Sequence, residues 1–307
     1  MKKNKIFIAI AALAILATAC GKDNEGGNDG RIKIFAENMS SGNNGAKVLM
    51  DPTNLDGSQW VLGERVNLNG TAYFIAKDGS DNFYLSTGDD VLSGDNLYAI
   101  YPASVEKVNG DHIIVSNNNT DAGSVVIHSL TVNFAADGQK VYFPMAATAA
   151  KDAGTMIFQH LTGGMKLTLK NEKGSALNVA KLVVTVTNAS EEGAIYKDLK
   201  PEWVGGMLPA LPEDEIGHIS GDPGAEFVST MTIYLRDEVN DHAYKQMGSG
   251  AELVFCMPML AKSVKYLRIT GYDDSGNQIF TTPQKEIENP FDVARNIMYT
   301  IPTINIE

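Results

Sequence analysis

Cysteine is nearly absent from this chain of 307 residues, which has only Cys20 and Cys256. A disulfide scaffold is therefore excluded. Cys256 lies in the apolar run LVFCMPML, where a buried, inert thiol is expected rather than a nucleophile. Histidine is also scarce: His112, His128, His160, His218 and His242 are the only five, and none forms a His-x-His or His-Glu-x-x-His pair. No zinc motif is present, and neither a Gly-x-Ser-x-Gly elbow nor a Walker or Gly-x-Gly-x-x-Gly phosphate loop occurs. No segment carries a long amphipathic 3.6-residue period. Basic charge is the minority sign, with 25 Lys+Arg against 37 Asp+Glu and a net charge of −12. Such a surface repels nucleic acid and anionic lipid. No catalytic residue, metal or cofactor is expected, and the protein reads as a non-enzyme.

What is present begins with a basic start, Lys2, Lys3 and Lys5, followed by an apolar run from Ile6 to Ala17 and the small residues of Leu16-Ala-Thr-Ala-Cys20. This is the pattern of a secretory signal peptide over residues 1–19, too short for a permanent transmembrane helix, which needs about 20 residues. The small residues end directly on Cys20, which resembles a bacterial lipobox. In that reading the thiol is acylated and becomes the new N-terminus. Several acyl chains, at about 0.8 kcal/mol per buried methylene, hold a protein on a membrane without any helix. Removal of residues 1–19 takes three lysines and no acid, leaving 22 Lys+Arg against 37 Asp+Glu, hence −15. Lys22, Asp23, Asn24 and Glu25 resemble the surface-export signal of Bacteroidetes lipoproteins, which points to an outward-facing, lipid-anchored position on the outer membrane. Residues 20–30 hold no apolar side chain after the cysteine and read as a flexible tether.

From Arg31 onward, short strand patterns dominate. Ile32 and Ile34 alternate. Val66-Asn-Leu68 and Ala72 to Ile75 flank the tight-turn pair Asn69-Gly70. In the second half Met165 to Leu169, Leu182 to Thr187, Met231 to Leu235 and Tyr266 to Thr270 alternate in the same way. Gly, Asn and Asp clusters separate these runs, which indicates an all-β chain of sandwich type. Ala146 to Ala150 is too short, and too near Pro144, for a helix. The small polar stretch Ala150-Lys-Asp-Ala-Gly154 divides the strands into two sets. The expected halves are residues 31–155 and 156–307.

Few residues invite a chemical reading. His160 precedes an apolar strand and is expected to be structural rather than a base. The acidic loops at Asp78 to Asn82, Asp89-Asp90 and Asp273 to Asn277 carry oxygens suited to calcium, but none has EF-hand spacing, and hairpin turns explain the composition. Trp60 is expected in the core and Trp203 on the surface.

Six segments in chain order resemble the fimbrillin family of Bacteroidetes, the subunits of type V pili: SQWVLGERVNLNG, NLYAIYPAS, KVYFPMAATA, FQHLTGGMKLTLKN, LVFCMPML and PFDVARNIMYTIPTINIE. The resemblance runs from residue 31 to Glu307. It implies two consecutive β-sandwich domains of transthyretin-like type and a structural or adhesive subunit of a cell-surface fimbria. Assembly with other pilus subunits would proceed by strand donation, with host or bacterial surface ligands as further partners. The exchangeable strand would be Arg31 to about Met39, with Ile32, Ile34 and Phe35. A donor is implied at the other end, with Ile301, Ile304 and Ile306, and Pro302 confines that segment to an edge or a bulge. Subunits of the family are cut at an arginine after the first strand. Here no Arg lies between Ile32 and Glu64, so the candidate processing points are Lys47 and Arg65. The competing reading is a surface glycan-binding lipoprotein of a nutrient-uptake system, which predicts a platform of exposed aromatics.

Overall fold

The structure, a computed structural model, describes residues 31–36, 39–41, 47–48, 60, 62–68, 71–79, 82–88, 92, 96–101, 113–115, 125–127, 129–136, 138–141, 143–196, 198–199, 227–295 and 297–307. Among these residues the chain is all-β, in several sheets, with no helix. The signal peptide, Cys20, the tether, Asp89-Asp90 and Trp203 lie outside the described residues.

The first sheet closes on itself. It is a barrel of β1 (Arg31–Ala36), β4 (Arg65–Leu68), β5 (Thr71–Lys77), β6 (Phe83–Ser86), β7 (Asn96–Tyr101), β12 (Met145–Ala150) and β13 (Thr155–His160), in the order β1-β13-β12-β7-β4-β5-β6. Leu68 stands opposite Thr71 in the β4–β5 ladder, so these strands form the hairpin expected of this segment, with Asn69 and Gly70 themselves outside the described residues. The Ala-rich stretch is strand β12, paired along its whole length with β7. Small side chains leave room there for Met145 and Ala147 to pack inside the ring, where both are buried.

A second core lies between two further sheets. One has nine strands: β10 (Ser129–Ala135), β11 (Gly138–Lys140), β16 (Lys181–Thr187), β17 (Ile195–Tyr196), β19 (Phe227–Val228), β20 (Thr230–Asp237), β23 (Ala261–Tyr272), β24 (Gln278–Thr281) and β25 (Lys285–Val293). The other has six: β2 (Met39–Ser41), β3 (Lys47–Val48), β14 (Gly163–Asn171), β22 (Glu252–Met259), β26 (Ile297–Thr300) and β27 (Ile304–Ile306). Alternation in their central strands places the inward side chains of both. Leu182, Val184 and Val186 of β16 point inward, as do Met165, Leu167 and Leu169 of β14, and all six are buried in the same cluster. Each such side chain contributes about 1.5–3 kcal/mol on burial. Pro258 lies in β22, an outermost strand of its sheet, where its missing N–H costs no inner ladder bond. Small ladders join β15 (Leu177–Val179) to β21 (Lys245–Met247), and β9 (Val125–Ile127) to β8 (Ile113–Val115) and β18 (Asp198–Leu199).

The two cores interleave along the chain. Lys151 to Gly154, the polar break in sequence, is a hairpin turn joining β12 to β13 inside the barrel. Before it, β10 already belongs to the nine-stranded sheet, paired in parallel with β20. Small polar residues mark hairpins and linkers alike, so composition does not separate the two.

Candidate functional site: the strand that closes the barrel

β1 has a neighbour on each side. It runs parallel to β13, with Ile34 opposite Met156, and antiparallel to β6, with Ile32 opposite Leu85. Ile32 and Ile34 are buried in the barrel core, while Arg31, Lys33 and Phe35 face out. The strand therefore closes two ladders and supplies two core side chains at once. Phe35 does not enter the core. It is 49% exposed beside its ladder partner Ile157, which is 62% exposed. Arg31 lies over the Tyr84 ring at 5.0 Å.

After β1 the chain crosses to the other core. β2 joins the six-stranded sheet, with Ser40 and Ser41 paired in parallel with Ile297 and Met298. The segment Ser40 to Ala46 reads as a loop in sequence because it is rich in Ser, Gly and Asn. Its first two residues are instead strand, and residues 42–46 lie outside the described residues. Lys47 is in β3, paired with Ser40 in the outermost ladder of that sheet.

Arg65 opens β4 opposite Phe74, and its guanidinium lies 4.4 Å from the centre of that ring. The backbone there is held: the Ile75 N–H donates to the Glu64 carbonyl at 2.7 Å, and the Gly63 N–H donates to the Ile75 carbonyl at 3.0 Å. Just upstream, Trp60 is buried edge-on to Tyr101 at 5.1 Å and Phe158 at 5.0 Å. The Tyr101 hydroxyl donates to the Glu64 carboxylate. A cut at Arg65 would separate β1 and Trp60 together from the rest of the barrel.

The C-terminal residues are in place within their own sandwich. β26 and β27 both run parallel to β14, and Ile301, Ile304 and Ile306 are buried in the second core. The ladder breaks around Pro302, as a residue without an N–H requires. A donor role for this segment would first need three buried isoleucines to leave their core.

The remaining candidates are structural in placement. His160 is fully buried and edge-on to Phe143, at a ring-centre distance of 6.1 Å. Asp78 accepts from the Asn82 N–H at 3.0 Å, and Asp273 accepts from the Asn277 N–H at 2.7 Å. The Asn277 side-chain amide, donating to Asp273 at 3.0 Å, and then the Asn277 N–H hold the Asp273 carboxyl below its ordinary range. Among the described residues, no three His, Cys, Asp or Glu side chains gather as a metal site. Cys256 is fully buried.

No protein-family model matches this chain, and no curated protein matches it. Solved structures similar to it include candidate cell-adhesion proteins and a fimbrial protein of Bacteroides. A candidate cell-adhesion protein of Bacteroides ovatus aligns at a TM-score of 0.43 and 13% identity, over 90% of this chain and 94% of the other. One of Bacteroides fragilis aligns at 0.39 and 10%, over 89% and 92%. A fimbrial protein of Bacteroides ovatus aligns at 0.28 and 11%, over 91% of this chain and 50% of the other.

Proposed function

We propose that this chain is a non-enzymatic structural or adhesive subunit of a cell-surface fimbria, assembled with other subunits by exchange of β1. The observation that supports this is the position of β1: it is the N-terminal described strand, yet it is interior to a closed barrel. Strands at a chain end that complete a ring are the ones that can leave without threading any loop. Their departure opens two ladders and a slot the width of Ile32 and Ile34. An extended segment from another subunit restores both the hydrogen bonds and the alternating side chains. The two cores are the basis for reading two sandwich units of transthyretin-like type, each defined by its core rather than by residue 155. Cys20 carries the lipid in this reading and holds the precursor at the outer membrane, with Lys47 the processing point more open to a protease than Arg65.

The test is to place a specific protease site between residues 42 and 46, cut the purified protein, and follow its mass in mild denaturant. Cut protein should form oligomers, and a synthetic Arg31–Ala36 peptide should suppress them by refilling the slot. A Lys33→Cys, Thr155→Cys pair, at facing ladder positions, should block them under oxidising conditions. Cut protein that remains monomeric after β1 has dissociated overturns the proposal.

A further inference from the structure

The outward face of the nine-stranded sheet is not the bland polar surface that its alternation permits. Three central strands, β20, β16 and β23, lie side by side in that sheet. Where β20 and β23 pair with β16, the outward positions carry Tyr234, Thr232 and Thr230, then Lys181, Val183, Thr185 and Thr187, then Tyr272, Thr270, Arg268 and Tyr266, with the exposed Arg236 one position beyond on β20. Eight of the eleven paired side chains bear a hydroxyl, and no carboxylate is among them. In an acid-rich chain of net charge −12 this is a local reversal. The register sets Lys181 between Tyr234 and Tyr272, and its ammonium lies 4.3 Å from the centre of the Tyr272 ring.

At the other end of the same face the surface dips into a cleft of about 300 Å³. Thr185, Thr187, Glu191, Tyr266, Arg268 and Gln284 line it. That volume is at the lower end of small-molecule sites, about 300–1,000 Å³. The lining mixes acceptors and donors: one carboxylate, one guanidinium, one amide and several hydroxyls. Its charges, Arg268 and Glu191, balance. Arg268 and Tyr272 are four residues apart on one strand, so cleft and tyrosine–lysine row are separated by about 13 Å.

We infer that the cleft and this row form a binding site for a neutral oligosaccharide. Sugar diols donate and accept in equal measure, which suits a lining of paired opposite charges, amide and hydroxyl groups. Sugar rings also have apolar faces, which suit half-buried tyrosines standing on a solvent-facing sheet. The separation between cleft and row exceeds one ring, so the ligand is a chain rather than a monosaccharide. The site is complete in a single copy of the protein and stands apart from β1. It holds whether or not the chain polymerises.

The test uses the full, uncut chain and calorimetric titration with neutral hexasaccharides of glucose, mannose, galactose and xylose. Heparin and polygalacturonate serve as polyanionic comparisons. At least one neutral saccharide should bind, with an affinity insensitive to added salt. Arg268→Gln and Tyr266→Ala should each weaken that binding about tenfold or more, while circular dichroism and melting stay unchanged. Thr185→Val replaces Tyr266→Ala should the latter fail to fold, and should also weaken binding. The inference is overturned if no neutral saccharide binds, if binding ignores the substitutions that leave the fold intact, or if the polyanions bind more tightly and salt abolishes it. Each of those results leaves strand exchange untouched.

Discussion

Asp237 is a carboxylate almost fully removed from solvent at the end of β20, and every bond around it favours its ionised form. Lys245 donates to it at 2.8 Å, Asn240 donates from its side chain at 3.1 Å, and the Val239 and Asn240 N–H groups donate as well. The Lys245 contact, with the Asn240 bonds behind it, holds the Asp237 carboxyl below its ordinary value. A depressed folded-state value means stability that is fully present above the unfolded value, about 3.9, and is lost as pH falls through the folded one. Asp237→Asn should therefore lower stability at neutral pH by about 1–3 kcal/mol and flatten the loss of stability below the ordinary carboxylate range. Urea denaturation at neutral and acid pH measures both. An unchanged acid slope in the variant would show that other carboxylates govern it.

At the scale of an element, position in a ladder decides what a protease can reach. Among the described residues Lys47 sits in β3, paired on one side only, whereas Arg65 sits in β4 between β5 and β7. A protease must draw its substrate into an extended, unpaired form, so opening β4 breaks two ladders where opening β3 breaks one. Under native conditions trypsin should cut after Lys47 well before it cuts after Arg65, with mass spectrometry of the new N-termini as the readout. Fragments beginning at Val66 that appear first would mean that β4 frays more easily than its two ladders imply. The same geometry makes β1 dependent on its neighbours: parallel pairing with β13 and antiparallel pairing with β6 are both needed to keep the ring shut.

For the whole molecule the critical place is where the chain leaves the barrel for the second core. Arg295 donates to the Gln159 side chain at 3.2 Å, tying the loop after β25 to barrel strand β13. Four residues on from Gln159, a Cβ on Gly163 would stand 1.9 Å from the Ala294 carbonyl oxygen and 2.8 Å from that of Ile297. Both obstacles are backbone, so neither can rotate away. Gly163→Ala should cost about 1–3 kcal/mol or more, the range for overpacking. Gly174→Ala, at a glycine with open space around it, should be neutral or stabilising by about 0.4–1 kcal/mol. Chemical denaturation of the two variants side by side checks this, and equal effects would mean that the junction yields.

Much of this was legible in one dimension. Alternation at Ile32 and Ile34, at Met165 to Leu169 and at Leu182 to Thr187 specified strands and their buried faces, because a period of two admits only one inward set. Asn69-Gly70 specified a hairpin between β4 and β5, and Pro302 an edge or a bulge, where the structure has a break between β26 and β27, because each constrains its own backbone. What composition could not specify was which strands meet. Nothing local tells Ser129 to Ala135 to pair with β20 across a hundred residues, or tells Lys151 to Gly154 to be a hairpin rather than a boundary. Nor could it gather Thr185, Glu191, Arg268 and Gln284 around one cleft, since each is an ordinary polar residue in its own segment. Pairing across the chain is decided by the fit of whole faces in the two cores, and that fit exists only once the sheets have formed.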